Sequence, residues 1–343
     1  MSLQSENFED WYEEIRSNIK DSVNRLEVTG EGGKRHKKGS ALQVLLRETS
    51  SGDFNHRTLA NRLSPRSENH DLSLAQAWHI LNITSDMDSL MPLCRHKNML
   101  LTISLKKLPV AEEALFPIFT KMRKELAETQ DVFKKALEQR ASPAGSVSLA
   151  TKKDLKREVH EDLCAAMAMA TQLEAMTSTD PEGSALPDAD SRFADMRTDL
   201  ARWAKELDRK EAVLAELRAM SGIRQADLDR FSTQSADGAT VSFKLFLKIL
   251  EADETNELLT IFCESLGYRV YPLEPLKVNL KTKSILEQFA ELEDRQADTL
   301  QRLNQALKDQ EITMDEVEDI KQELQEEYGT ELAILNTFIE PNP

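Results

Sequence analysis

Aromatic residues make up only 6% of this 343-residue chain, and continuous β-branched runs are few, so a large sheet is not expected. Cysteine is scarcer still. The three present, Cys94, Cys164 and Cys263, are widely spaced and form no CxxC pair, which excludes a disulfide scaffold or zinc ribbon and fits a reducing compartment. No apolar run approaches the length of a membrane span, and the opening MSLQSENFEDWYEEIR is acidic, without the apolar core of a signal peptide. The expectation is therefore a cytoplasmic protein with no membrane partner.

Catalytic and ligand motifs are missing as well. Thr29 to Lys34 (TGEGGK) lacks a phosphate loop's first glycine, where Val28 stands, and its closing Ser or Thr, where Arg35 stands. Asp309 to Ile320 has the acidity of a calcium loop, but Met314 replaces its glycine and Ile320 its bidentate Glu. His160 and Glu161 have no second histidine four residues on, so a zinc protease site is excluded. Cys94 and Cys263 occupy apolar positions and read as core. No nucleophile elbow or carboxylate pair appears, so no enzyme, no catalytic residue, no cofactor and no metal site is expected.

What the chain does have is charge and helical periodicity. Charged residues are 30% and hydrophobic ones 40%, a globular composition that leans towards long helices. The net charge is −16, but its distribution is uneven. Lys34 to Arg66 carries eight basic residues against two acidic ones, whereas Ser284 to Pro343 carries sixteen acidic against four basic. A basic stripe survives inside an acidic protein.

The chain also resembles itself. LSLAQAWHILNITSDMDSLMPLC (Leu72 to Cys94) lies over VSFKLFLKILEADETNELLTIFC (Val241 to Cys263) without a gap, setting Ser73 on Ser242 and Cys94 on Cys263. Upstream, Leu59 to Asp71 meets Asp227 to Thr240 with one inserted residue; downstream, Thr151 to Ala175 meets Glu316 to Glu340 ungapped. These blocks lead to an N-terminal extension (1–35), copy one (36–176), an acidic linker (177–190) and copy two (191–340). The linker, TSTDPEGSALPDAD, is rich in turn formers and should be exposed and readily cut, releasing two stable halves.

The expected fold class is all-α with room for short strands: a tandem duplication of a helix-turn-helix-like unit followed by a C-terminal helical hairpin. The extension is itself helical over Asn7 to Leu26, with Phe8, Trp11, Ile15, Ile19 and Val23 on one face. MLLTISLKKLP and GYRVYPLEP read as small strands or plain crossovers. In copy two, Ile285, Phe289, Leu292, Leu300, Leu303 and Leu307 line one long helix; Val317, Ile320, Leu324, Leu332, Leu335 and Phe338 line the next. Thr313, with Glu316 three residues on, forms a capping-box pattern between them.

The basic stripe can be placed on helices. Ala41 to Glu48 reads as a short apolar helix, Ser50 to Asp53 as a turn, and Asn55 to Leu63 as a second helix stopped by Pro65. On the second helix Leu59 and Leu63 share the buried face, Arg57 and Asn61 project oppositely, Thr58 is at the flank and Arg62 at the rim. Arg presents bidentate donors to guanine and Asn pairs with adenine, so this face can read a major groove. Lys34, Arg35, Lys37 and Lys38 form a phosphate-binding arm, and Arg66 extends the stripe. A solvated polar face beside a linker accounts for the same pattern equally well.

HRTLANRLSPRSENHDLSLAQAWHILNITSD resembles the phage regulatory protein CII family, with Asn61, Leu63, Pro65, Leu72, Ser73 and Asp86 at the positions of its motifs. Val241 to Pro275, including Gly267 and Val270 to Pro272, and the tail from Gln305 to Glu340 are similar to later parts of such proteins. The resemblance implies a prophage-type transcriptional regulator that binds double-stranded DNA through its N-terminal part and self-associates through its C-terminal part. Two departures stand out. Family members usually carry one such unit, and copy two has Gln225 and Asp229 where copy one has Arg57 and Asn61. Lys205 to Ser232 holds six basic and six acidic residues, so copy two is expected to have lost DNA contact and to act as a built-in dimer partner. The competing expectation, favoured by the overall charge, is a non-catalytic adaptor whose bundles bind another helical protein.

Overall fold

The computed structural model describes residues 8–25, 72–85, 87–103, 115–142, 145–177, 186–207, 241–273, 285–308 and 313–339. In chain order the elements are α1 (Phe8–Arg25), α2 (Leu74–Thr84), a 3-10 turn (Met87–Ser89), α3 (Met91–His96), β1 (Met99–Ile103), α4 (Leu115–Ala141) and α5 (Leu149–Thr177). After them come α6 (Ala189–Leu207), α7 (Phe243–Ala252), α8 (Glu257–Ser265), β2 (Tyr268–Pro272), α9 (Ile285–Lys308) and α10 (Met314–Ile339). The described chain is mostly helical, with one two-stranded sheet formed by β1 and β2. Within the two stretches that read as strands or crossovers, Met99–Ile103 and Tyr268–Pro272 are strands.

The chain folds as two compact units that cut across the division read from sequence. One comprises Met1–Lys97 with Pro187–Val270, the other Asn98–Leu186 with Tyr271–Pro343. Boundaries at 36–176 and 191–340 divide the repeat; in space, each unit takes one segment from either side of the linker.

In the first unit α1 is no appendage. Trp11, Tyr12, Ile15, Ile19 and Val23 fall on its inner face and are almost fully buried against α2, the 3-10 turn and α3. Each such burial stabilises by about 1.5–3 kcal/mol. Polar contacts fix the register: Asn18 Nδ2 donates to the Asp88 carbonyl at 2.9 Å, and Arg95 pairs with Glu14 at 2.7 Å. α6 packs on α8 and α2 through Met196, Leu200 and Trp203.

α2 and α7 begin at the same point in space. Ser73 caps α2 in a full capping box with Gln76, and Ser242 caps α7 by accepting from the Leu245 amide. Ser73 and Ser242 also face each other in an antiparallel bridge. Through it the Leu74 amide donates to the Val241 carbonyl at 2.7 Å and the Phe243 amide to the Leu72 carbonyl at 2.8 Å. Each first-turn amide, which its own helix leaves without an acceptor, is satisfied by the other strand of the bridge. At the far end of α7, Lys97 Nζ donates to the carbonyls of Glu251 and Asp253, a cation at a helix C-terminus. Burial depresses the Lys97 ammonium below its ordinary range, opposed by Asp253 and Glu251. α3 and α8 both lead into a left-handed residue, Asn98 at φ 51° and Gly267 at φ 81°.

The second unit contains two helical hairpins, α4–α5 and α9–α10, with α5 packed along α10. Their joints are closed by side chains. Gln139 accepts from the Ser148 amide at 2.9 Å and donates to Thr151 Oγ1 at 2.9 Å, while Thr313 and Glu316 form the expected capping box. The core is built from Phe119, Met122, Leu126 and Phe133 on α4, Leu155, Val159 and Leu163 on α5, and Phe289, Leu292 and Leu303 on α9. All six core positions read for α10 are buried. Phe133 meets Phe289 edge-on, with centroids 6.0 Å apart. β1 lies on α5, where the buried His160 Nε2 sits 2.7 Å from the Met99 carbonyl and the Leu101 amide donates to Cys164 Sγ.

Candidate functional site

Lys34, Arg35, Lys37, Lys38, Arg57, Thr58, Asn61, Arg62 and Arg66 all lie outside the described residues, as does the segment 208–240 that aligns with them. What is described is the frame that holds both segments. Residues 26–71 connect α1 to α2, and residues 208–240 connect α6 to α7. Both segments end at the same place, because Leu72 and Val241 are buried and flank the Ser73–Ser242 bridge. Leu72 and Val241, the first described residues after each segment, thus stand at one shared point of the core.

A second feature is carried by the hairpins and concerns carboxyl groups in a core. On α5 the apolar phase runs Leu155, Val159, Asp162, Ala166; on α10 it runs Ile320, Leu324, Glu327, Glu331, Leu335. The three acids therefore point inward with their apolar neighbours, and all are buried. Glu327 accepts from Thr299 Oγ1 at 2.9 Å, and Glu331 accepts from Gln296 Nε2 at 2.9 Å. Burial, reinforced by Glu327, raises the Asp162 carboxyl well above the usual carboxylate range. Burial, then Asp162 and Glu327, does the same to Glu331. Glu327 is pushed up to about 7 by burial, against the opposing hydrogen bonds of Thr299 and Gln296.

Among the described residues, Asp162 Oδ2 and Glu331 Oε2 have no hydrogen-bond partner. Two ionised carboxylates at that depth repel, so burial and mutual repulsion favour the protonated form of both acids. A narrow cavity lined by Met122, Leu126, Asp162, Gln296, Thr299 and Glu327 adjoins them, with room for roughly one water molecule. That is far too small for a substrate. Sequence periodicity held a signal for these groups: three acids fall on an otherwise apolar stripe.

Glu125, Glu158 and Glu161 bring one carboxylate oxygen each within 4.8 Å of the others. Basic side chains already answer two of them: Lys124 lies 3.5 Å from Glu125, and Arg157 lies 2.7 Å from Glu158. Beside them His160 is spent on the Met99 carbonyl, not on a ligand set. Cys94, Cys164 and Cys263 are all free thiols and buried. The Cys94 thiol is raised well above its usual range, first by a hydrogen bond with Cys263 and then by burial. No described helix is long and apolar enough to cross a membrane.

No curated protein and no solved structure matches the chain. A family model does: from Ser50, inside the basic stripe, to Met176 in the last turn of α5, residues 50–176 match phage regulatory protein CII (CP76), and over that stretch the chain is similar to this regulatory family.

Proposed function

We propose that the protein is a prophage-type transcriptional regulator that binds double-stranded DNA through residues 34–66, with its helical hairpins making the self-contacts. The family match carries this reading, because it begins within the basic stripe and includes Arg57, Thr58, Asn61, Arg62 and Arg66. In this reading Arg57 and Asn61 read base edges, Thr58, Arg62 and Arg66 hold the flanking backbone, and Lys34, Arg35, Lys37 and Lys38 supply sequence-independent attraction to phosphate.

The chain is further proposed to be an internal duplication. Three observations support this. The order helix, short helix, strand, long helix, long helix occurs twice. The left-handed residues Asn98 and Gly267 stand at aligned positions. The core positions Leu155, Val159, Asp162 and Leu163 align with Ile320, Leu324, Glu327 and Tyr328, all of them buried.

The test is a gel-shift series against genomic fragments at two salt concentrations. Arg57→Ala and Asn61→Ala are each expected to cost about 1–3 kcal/mol of preference for a cognate site. Neutralising Lys34, Arg35, Lys37 and Lys38 is expected to weaken binding to every fragment and to flatten the salt dependence. Absence of salt-dependent binding to any fragment leaves the competing reading, a helical adaptor, which the net charge of −16 favours.

A further inference from the structure

Residues that the internal alignment equates are, in several places, in contact with each other. Ser73 bridges Ser242, and the two amide-to-carbonyl bonds across them exchange the same roles: Leu74 to Val241, Phe243 to Leu72. The buried thiols of Cys94 and Cys263 are neighbours as well. A residue can touch its own counterpart only near a two-fold axis, so these contacts have the form of a symmetric dimer interface drawn within one chain.

The surrounding helices pair crosswise as well. α1 lies beside α7, where Lys244 pairs with Glu9 at 2.8 Å and sits 5.0 Å from the Tyr12 ring. α6 lies beside α2, where Arg192 donates to Asn82 Oδ1 at 2.7 Å and Phe193 packs 5.1 Å from Trp78. Trp78 Nε1 donates to Ser265 at 2.7 Å; His96, at the position aligned with Ser265, reaches Glu251 at 3.5 Å, one turn along α7 from Leu247, the counterpart of Trp78. Within the second unit the hairpins join through Gln130 to Gln296 at 2.7 Å and Lys321 to Glu174 at 2.6 Å.

The scaffold is therefore two-fold, but the segments it carries are not alike. Residues 34–66 hold eight basic side chains against two acidic ones, and the corresponding window in the second half, 205–232, holds six of each. Arg57 and Asn61 face Gln225 and Asp229 in the alignment. A carboxylate at the reading face is repelled by phosphate.

We propose that the protein acts as a monomer and recognises a single, non-palindromic duplex site, the self-contacts of the hairpins being made within the chain and the second half replacing the partner subunit without reading DNA. This rests on the DNA-binding reading above. A regulator built as a symmetric dimer reads an inverted repeat because its two-fold axis matches that of its operator. Here the pairing surface is filled from within the chain, at an effective concentration no separate copy matches. One reading segment then remains per molecule.

Light scattering on the full chain at micromolar concentration, followed by selection from a random duplex pool, tests the proposal. The expected results are the mass of one chain, one chain per bound duplex, and an enriched motif without inverted symmetry. Fusing a second, inverted copy of that motif should recruit a second molecule and leave the affinity of the first unchanged within about twofold. A two-chain mass in solution, or an enriched inverted repeat bound by two chains together, overturns the proposal while leaving DNA binding intact. Enrichment of no motif, with one-chain mass, instead removes the DNA reading itself.

Discussion

Glu327 shows how a single buried acid makes this fold depend on pH. Its carboxyl is held at about 7 against an ordinary 4.5, chiefly by burial. The groups around it are Glu323, Tyr328 and Glu331 on α10, Asp162 on α5, Arg295, Gln296 and Thr299 on α9, and Glu125 near Asp162 on α4. Below about pH 4.5 the group is protonated whether the chain is folded or not, and its contribution to stability is full. Between 4.5 and about 7 the unfolded chain releases the proton and the folded one keeps it, so stability falls as pH rises. A tenfold difference in proton affinity between the folded and unfolded chain is worth roughly 1.4 kcal/mol, so the loss from about pH 5 to about pH 8 is on the order of 1–3 kcal/mol. Glu327→Gln, which keeps an acceptor for Thr299, should be more stable than the parent at about pH 8 and flatten the slope of unfolding free energy with pH. Denaturant titrations at both pH values measure this, and an unchanged slope would place the proton elsewhere. An acid on a helix normally reads as part of a solvated face, so the apolar phase of Asp162, Glu327 and Glu331 carries the information and their chemistry conceals it.

At the scale of elements, most of what forms is open to reading from periodicity and caps. The inner face of α1, the core positions of α10 and the Thr313–Glu316 box follow from side-chain spacing along a single helix. Spacing cannot show what an inner face meets. It makes the N-terminal helix an extension, yet that helix packs in the first unit's core as α6 does, the two lying on α3 and α8 respectively. Nor does spacing reveal that the Ser73 and Ser242 caps stand back to back, because that pairing joins residues 169 positions apart in the chain. The turns after α3 and α8 give a local test. Gly267 sits at φ 81°, where a Cβ costs about 1–2 kcal/mol, so Gly267→Ala should lower stability by that amount. Asn98, at φ 51°, is among the few residues that tolerate this conformation, and Asn98→Gly should be neutral or slightly stabilising. Thermal unfolding of the two variants side by side reads both outcomes; equal losses from both would mean that the side chains, not the backbone angles, matter there.

For the whole molecule, the compact units and the sequence halves make opposite forecasts for a cut between them. If 36–176 and 191–340 each held a private core, cleavage within 178–185 would release two stable bodies, as the composition of that stretch suggests. The compact units instead draw Met1–Lys97 together with Pro187–Val270, and Asn98–Leu186 together with Tyr271–Pro343. Every core that forms therefore needs side chains from both sides of the cut. In the first unit Leu72, Trp78 and Cys94 are buried with Val241, Phe246 and Phe262; in the second, Phe133 and Leu163 are buried with Phe289 and Leu332. Separating the fragments would expose these apolar surfaces at about 25 cal/mol per Å² and leave the Leu74 and Phe243 amides without their acceptors. A specific protease site placed at 178–185 should accordingly be cut into two pieces that co-elute on gel filtration and keep the helicity of the intact chain. Mixed after denaturation, the pieces should regain that helicity only together, and at a concentration-dependent rate. If each fragment refolds alone to its full share of helix, the halves are independent domains and the shared cores described here do not hold the molecule together.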